Sequence, residues 1–360
     1  MLGKWSRPMF RIIALPHGSR RIVDLTHRRT RREEALRLMN PAVNEKLVTP
    51  KKHRKKFSLD DVELTLLGLP TVIWYLLFCY LPMFGIIIAF KSYKPVKGLN
   101  FIGSLLQSDN VGIKNFKFLF KTPDAAIMFR NTLLYNGVFI ITGILVSVTL
   151  AILISQLYSQ KLAKVTQTAM FLPHFLSWVV VGYFLFSFLS SDKGFVNKVL
   201  EGMGKEAIQW YMEPKYWPVL LVFLNIWKTM GYSMVVYLAS ISGIDGSLYE
   251  AAVIDGATKW QQVKSITLPL LSPIITIMFI LAVGRIFSSD FGLFYQVPRN
   301  SGPLVDVTQT IDVYVYKALM GLNNIGFASA AGFLQSIFGL ITIVAANAVV
   351  NKINPENALF

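Results

Sequence analysis

A multi-pass, all-α membrane protein is the fold class this sequence predicts, and three observations carry the prediction. Of its 360 residues, 53% are hydrophobic and only 16% charged, with a mean hydropathy of +0.49, whereas a soluble domain is nearer a quarter charged. The apolar residues gather into six runs, each long enough for the roughly 20-residue stretch that crosses a bilayer as a helix. The charge is lopsided: residues 1–58 hold 16 Lys and Arg against four acids, a net +12 of the chain's +16, all ahead of the first long apolar run. A basic segment abutting a hydrophobic span marks the cytoplasmic side of a membrane. Nucleic acid is not expected as a partner, because a nucleic-acid patch needs a folded scaffold or interleaved aromatics.

The spans are predicted at about 66–90, 132–158, 165–190, 217–241, 270–289 and 326–350. Backbone that faces lipid must satisfy its own hydrogen bonds, so these runs should be helices. Pro70 and Pro82 in the first and Gly231 in the fourth predict kinks or close helix approach. Residues 1–58 read as a basic cytoplasmic arm, either apposed to membrane lipid or disordered, and residues 59–360 as the transmembrane domain. With the cluster Lys51, Lys52, Arg54, Lys55 and Lys56 inside, both termini are cytoplasmic, as are the loops 158–164 and 242–269. Residues 91–131, 191–216 and 291–325 then face outward. Lys91, Lys94, Lys97, Lys114, Lys117 and Lys121 crowd the first outer loop, so the N-terminal cluster carries the orientation argument. Cys79, the lone cysteine, sits inside an apolar run and reads as a small packing residue. Residues 9–16 are too short and too interrupted by arginine for a signal-peptide core, so the start is expected to be retained.

The longest inner loop carries the most local information. Ser247 followed by Glu250 has the form of a capping box, which predicts the start of a short helix. Ala251 and Ala252 keep one of its faces thin. Gly256 suits a sharp turn, and a second helical stretch from Ala257 to Thr267 delivers the chain to Pro269, tolerated in a first helical turn. The product is a short helix lying across the inner surface between two spans. It either enters a groove on a partner protein or lies on lipid, and the residues alone leave both readings open.

The pattern Glu250-Ala251-Ala252, three residues, Gly256, nine residues, Ile266, one residue, Leu268-Pro269 resembles the EAA motif of binding-protein-dependent ABC transporter permeases, with seven specified positions across twenty residues. The segments Gly112 to Phe116 with Phe118 to Phe120, Arg130 to Leu133, Phe171 to Pro173, Phe291 to Pro298 and Asn357 to Phe360 resemble the LplB-type branch of that MalF-like superfamily. The resemblance implies a six-helix, type I importer permease whose EAA loop is the coupling helix for an ATP-hydrolysing subunit, with Glu250, Ala251, Ala252, Asp255, Gly256, Ala257, Leu268 and Pro269 as the coupling residues. It implies a bacterial cell membrane location and the import of complex oligosaccharides or polysaccharide fragments. The partners it implies are a second homologous permease, two copies of the ATPase and an extracellular or periplasmic solute-binding protein.

No covalent chemistry is expected of the chain itself. It has no G-x-x-x-x-G-K-[ST] phosphate cradle, no H-E-x-x-H and no nucleophile elbow, and its four histidines are scattered at 17, 27, 53 and 174. No catalytic or metal-ligating residue is therefore assigned, and ATP with Mg²⁺ is expected to be used by a partner chain. Sugars are held by aromatic faces and a few polar groups, which makes Trp178, Tyr183, Asn225, Trp227, Lys228 and Tyr232 the candidates for a substrate path. Lys228, Arg285 and Asp290 are also singled out because ionisable groups within spans are costly. Each candidate has a purely structural alternative: packing for the aromatics, and an ion pair or a snorkelling stem for Lys228. His174 is expected to be a satisfied packing residue. An ABC permease for a non-sugar solute and a non-transporting membrane scaffold are the alternative functions. An ion-coupled transporter is disfavoured because the spans hold almost no carboxylates.

Overall fold

The structure is a computed structural model that describes residues 59–359 apart from Thr122 and Asn323. The basic arm expected over residues 1–58 lies outside the described residues, as does Phe360. The chain divides into two units, residues 1–74 and residues 75–360. In the first, the described residues form the greater part of helix α1 (Leu59–Tyr75).

The regular elements among the described residues of the second unit are all helical, apart from one isolated bridge between Lys91 and Asn110. Its helices are α2 (Phe101–Gln107), α3 (Lys114–Lys121), α4 (Pro123–Ser155), α5 (Gln160–Phe171), α6 (Trp178–Leu189), α7 (Phe195–Gly202), α8 (Trp217–Ser242), α9 (Gly246–Ile254), α10 (Lys259–Val283), α11 (Ile311–Leu322) and α12 (Ile325–Ile353). Among the described residues, five helical stretches are long and apolar enough to cross a membrane: Asp61–Phe90, Asp124–Ser155, Pro214–Ser242, Lys259–Val283 and Ile325–Ile353. The third expected span, 165–190, is not one helix. Helix α5 with the turn Leu172–Phe175 meets α6 at an angle of 95°. Pro173 tightens the last turn, Leu176 is extended (ψ 132°), and the Ser177 hydroxyl accepts from Val180 N to start α6 afresh.

Two further boundaries differ from expectation. The fifth span begins at Lys259 and ends at Val283, because the chain unwinds from Gly284 to Asp290. Carbonyls in that unwound strip are bonded by side chains: Asn136 donates to Ile286 O at 2.7 Å and Ser288 O at 3.0 Å, and Gln335 donates to Phe287 O at 2.9 Å. Irregular backbone at membrane depth requires such partners. Residues 291–325, expected as an outer loop, instead hold α11 and several buried side chains, among them Leu293, Phe294 and Leu304.

Among the described residues, three wide, five-residue-spaced turns occur at Leu76–Tyr80, Val263–Thr267 and Gly292–Gln296. Each lies just before a proline: Pro82, Pro269 and Pro298. A proline ring clashes with the carbonyl four residues earlier and offers no N–H to it, and widening the turn moves that carbonyl aside.

Helix α8 packs along α4, and their two ends build separate cores. At one end Trp217, Leu221 and Leu224 meet Tyr135 of α4, Val181 of α6, and Leu293, Phe294 and Val297. At the other, Met234, Tyr237 and Ile241 meet Val148, Ala151 and Ile154 of α4 and Leu271 of α10. A third core joins Ala125 and Met128 to Phe327, Ala330 and Ala331 of α12, where small residues let backbones approach. The exterior is apolar as well. On α4, Leu134, Val138, Ile141 and Leu145 repeat at helical spacing and all face outward, as expected where lipid is the solvent.

Candidate functional site

The EAA loop is built by two helix caps. Asp245 Oδ1 accepts from Ser247 N at 2.9 Å, so Asp245 rather than Ser247 opens α9, and the expected Ser247–Glu250 capping box is absent. A carboxylate two residues earlier is the stronger acceptor at the positive end of a helix. The same backbone donor holds the exposed Asp245 carboxyl below the usual carboxylate range. The capping box of this loop is instead Thr258 with Gln261, which starts α10: Thr258 N donates to Gln261 Oε1 at 2.7 Å, and Gln261 N donates to Thr258 Oγ1 at 3.4 Å.

Gly256 has φ +76°, the left-handed conformation that glycine adopts without strain. It closes α9 with paired bonds from Ala257 N to Ala252 O (2.8 Å) and from Gly256 N to Val253 O (3.0 Å), the Schellman arrangement. Tyr249 and Thr267 hydroxyls meet at 2.9 Å and tie α9 to the third turn of α10. Glu250, Ala251, Asp255 and Gly256 are exposed, while Ala252 and Ala257 are half-buried. Leu268 and Pro269 stand apart from them within α10, where Leu268 packs on the core shared by α4 and α8. Beside Glu250, the exposed residues include Val253, Ile254 (86% exposed) and Trp260 (71% exposed).

The substrate-path candidates divide into three groups. Asn225, Lys228 and Tyr232 share one stripe of α8. Lys228 Nζ donates to His174 O at 2.8 Å and lies 5.3 Å from the Trp178 ring centre. Tyr232 stacks on the His174 ring at 4.8 Å. Trp178 donates its indole N–H to Asp290 Oδ2 at 2.6 Å, and Asp290 Oδ1 also accepts from Gly292 N at 2.9 Å. Lys228, Trp178 and Asp290 thus fasten the elbow between α5 and α6 to the unwound strip after α10. Trp227 points elsewhere and packs on the core that holds Leu221 and Leu224. Tyr183 is 63% exposed and faces the Arg299 guanidinium at 5.3 Å.

His174 differs from expectation: its ring is stacked, yet its buried Nδ1 has no hydrogen-bond partner. Arg285, singled out by charge, is exposed at the start of the unwound strip. Four groups near these candidates were not foreseen from sequence: Phe186, Tyr295, Tyr316 and Arg299. Tyr295 stacks with Phe291 at 4.8 Å, and Tyr316 lies within 5.0 Å of both rings. The aromatic run Phe291 to Tyr295 beside Asp290 was the available signal.

Residues 143–354 match the family described as "Binding-protein-dependent transport system inner membrane component". The chain is 32% identical over 319 residues to the polygalacturonan/rhamnogalacturonan transport system permease protein YteP of Bacillus subtilis (strain 168), covering 88% of this chain and 97% of that protein. It is 31% identical over 298 residues to Protein LplB of the same organism, covering 82% and 91%. Among solved structures it is similar to a chain of a bacterial ABC transporter involved in the import of the acidic polysaccharide alginate, with a TM-score of 0.72, 30% identity, and coverage of 82% of this chain and 97% of that one. The same transporter is also solved with an alginate pentasaccharide-bound periplasmic protein. A matched segment that takes in the EAA loop, and relatives aligned over nearly their full length, place this chain in the family of binding-protein-dependent ABC importer inner-membrane permeases.

Proposed function

We propose that this permease imports complex oligosaccharides or polysaccharide fragments, and that α9 is the coupling helix through which a separate ATPase drives it. The capped, solvent-exposed α9 is the observation that carries the reading. Asp245 fixes its start, Gly256 its end, and Tyr249 joins it to α10, so a push on α9 moves a span instead of a slack loop. Its exposed Glu250, Val253 and Ile254 suit a groove on a partner, where an isolated surface helix would leave such side chains in water.

In this reading ATP with Mg²⁺ is hydrolysed by two ATPase copies. A second homologous permease completes the pathway, and a solute-binding protein delivers the sugar. ATP-driven closure of the ATPases shifts α9, and the spans alternate between inward-open and outward-open arrangements. Both termini and α9 lie on the cytoplasmic side of a bacterial cell membrane. The polysaccharide cargoes in the names of its relatives support the substrate class.

The test is purification of the whole complex in mild detergent and its reconstitution with its binding protein. Recovery of an ATPase and a second permease, with oligosaccharide-stimulated hydrolysis, is the expected result. Glu250→Lys or Gly256→Pro should lower ATP-driven uptake by about tenfold or more while the chain stays in the membrane. Wild-type uptake in both variants would overturn the coupling role of α9, and recovery of this chain alone would favour the scaffold alternative.

A further inference from the structure

Arg299 stands at the end of the bundle remote from α9. Ser301 Oγ donates to Tyr211 O at 2.8 Å, which holds the Val297–Ser301 segment beside the start of α8. Helix α8 then runs 26 residues, about 39 Å at 1.5 Å per residue, before the chain turns into α9. Arg299 and Asn300 both have positive φ, 54° and 50°, a conformation side-chain-bearing residues rarely adopt. Bonds from Arg299 N to Gln296 O (3.2 Å) and from Asn300 N to Tyr295 O (3.1 Å) hold the turn. The turn lays the guanidinium 4.1 Å from the centre of the Phe186 ring and 5.3 Å from that of Tyr183. Phe186 is braced edge-on by Tyr211 at 5.4 Å, and Tyr211 in turn by Trp217 at 5.1 Å.

This support leaves the working edge of Arg299 unused. Its side chain makes no hydrogen bond and no ion pair among the described residues. The nearby Tyr211 hydroxyl, which burial pushes up to about 12, is neutral and brings no negative charge to the guanidinium. Beside it opens a cavity of about 230 Å³ lined by Val179, Gly182, Tyr183, Tyr295, Gln296 and Asn300. A planar cation with free, forked donors matches a carboxylate, and the exposed Tyr183 ring and half-buried Tyr295 ring, with amide groups beside them, match a sugar ring.

We propose that Arg299, with Tyr183 and Tyr295, forms an entry subsite that recognises the carboxylate of an acidic sugar, a uronate residue, as it passes from the binding protein into the membrane path. The assignment rests on the importer reading above and narrows its substrate class to oligosaccharides that carry carboxylates. Arg299 selects by charge and fork geometry, and the tyrosine rings carry the sugar without regard to its charge.

The test uses the complete importer, reconstituted in liposomes with its binding protein. Uptake is measured against concentration for trigalacturonate and for its methyl ester, in which each carboxylate is neutralised. Arg299→Gln should raise the half-saturating concentration of trigalacturonate by about tenfold, the value of one charge-assisted contact, and leave the ester unchanged. Arg299→Lys, which keeps charge but loses the fork, should fall between. Titration of the detergent-purified importer without binding protein should show the same loss for the acid alone. Equal effects on acid and ester, or none on either, would overturn the subsite while leaving the importer reading intact. Failure of the wild-type complex to take up or bind trigalacturonate would overturn the subsite together with the uronate assignment; sugar-stimulated hydrolysis with other oligosaccharides would then show that the importer reading itself survives.

Discussion

Asn131 shows how single polar side chains hold this molecule together. It is buried on α4, and its amide donates to Asp306 O at 2.9 Å and Gln309 O at 3.0 Å, far along the chain. The neighbouring Thr132 hydroxyl accepts from Ile311 N at 3.0 Å, and Asn115 donates to Ala89 O and Lys91 O. Replacing Asn131 with leucine strands the buried Gln309 carbonyl, while Asp306 O keeps the Arg130 guanidinium at 2.8 Å; one group left unpaired costs about 1–3 kcal/mol. The purified N131L protein is expected to unfold several degrees below wild type in a thermal melt. Gly231 works by having no side chain: a Cβ there would fall 2.0 Å from Met170 O, a backbone atom that has little room to give. Gly231→Ala should therefore separate α8 from the elbow, at about 1–3 kcal/mol. Gly137→Ala, on a helix with nothing within 4 Å, serves as the control and should be neutral or stabilising. Asn131 and Asn115 fell in segments visible as a family resemblance, but their tasks were not legible, because the carbonyls they serve lie in distant, irregular backbone that no local pattern announces.

Among elements, the prolines were legible and their consequences only half so. Pro82 was read as a kink, but the wide turn placed ahead of it, and ahead of Pro269 and Pro298, follows only when the blocked carbonyl is considered. The wide turn Val263–Thr267 matters most, because it sets the rotation of the Thr258 cap and α9 relative to the rest of α10. Pro269→Ala removes the ring clash and lets the ladder return to four-residue spacing. The residues before it would then rotate by about 100°, one residue of a 3.6-residue turn. Uptake by P269A is expected to fall about tenfold with insertion into the membrane and basal ATP hydrolysis unaltered; full uptake would show that this register is not needed for coupling. The elbow between α5 and α6 escaped prediction for a plain reason. Hydropathy runs unbroken from 165 to 190, and the break rests on Pro173 and the Ser177 cap, each of which also occurs in straight helices. The start of α9 was misplaced by two residues because Ser247 and Glu250 match a capping box by type, while Asp245 competes successfully for the same role.

At the scale of the whole molecule, the elbow decides the topology. If α5 and α6 together cross the bilayer, the chain has six crossings and both ends share a side; if the bent pair dips in and returns, the count is five and the ends are on opposite sides. The proposed coupling role of α9 requires the first arrangement together with a cytoplasmic N-terminus. The residues that flank the pair report on it directly: Tyr158 is fully exposed just before α5, and Lys205 is exposed just after α7. Cys79 is the chain's lone cysteine, so Cys79→Ser provides a cysteine-free background. In that background Lys205→Cys should react with a membrane-impermeant maleimide added to intact cells, while Tyr158→Cys and Trp260→Cys should react only after the membrane is opened. A Tyr158→Cys and Lys205→Cys pair labelled from the same side would make α5 and α6 a re-entrant hairpin. Labelling of Trp260→Cys from outside would place α9 beyond reach of an ATPase inside the cell. The experiment thus tests at once the broken span, the side on which α9 lies, and the inside placement argued from the basic segment before residue 59.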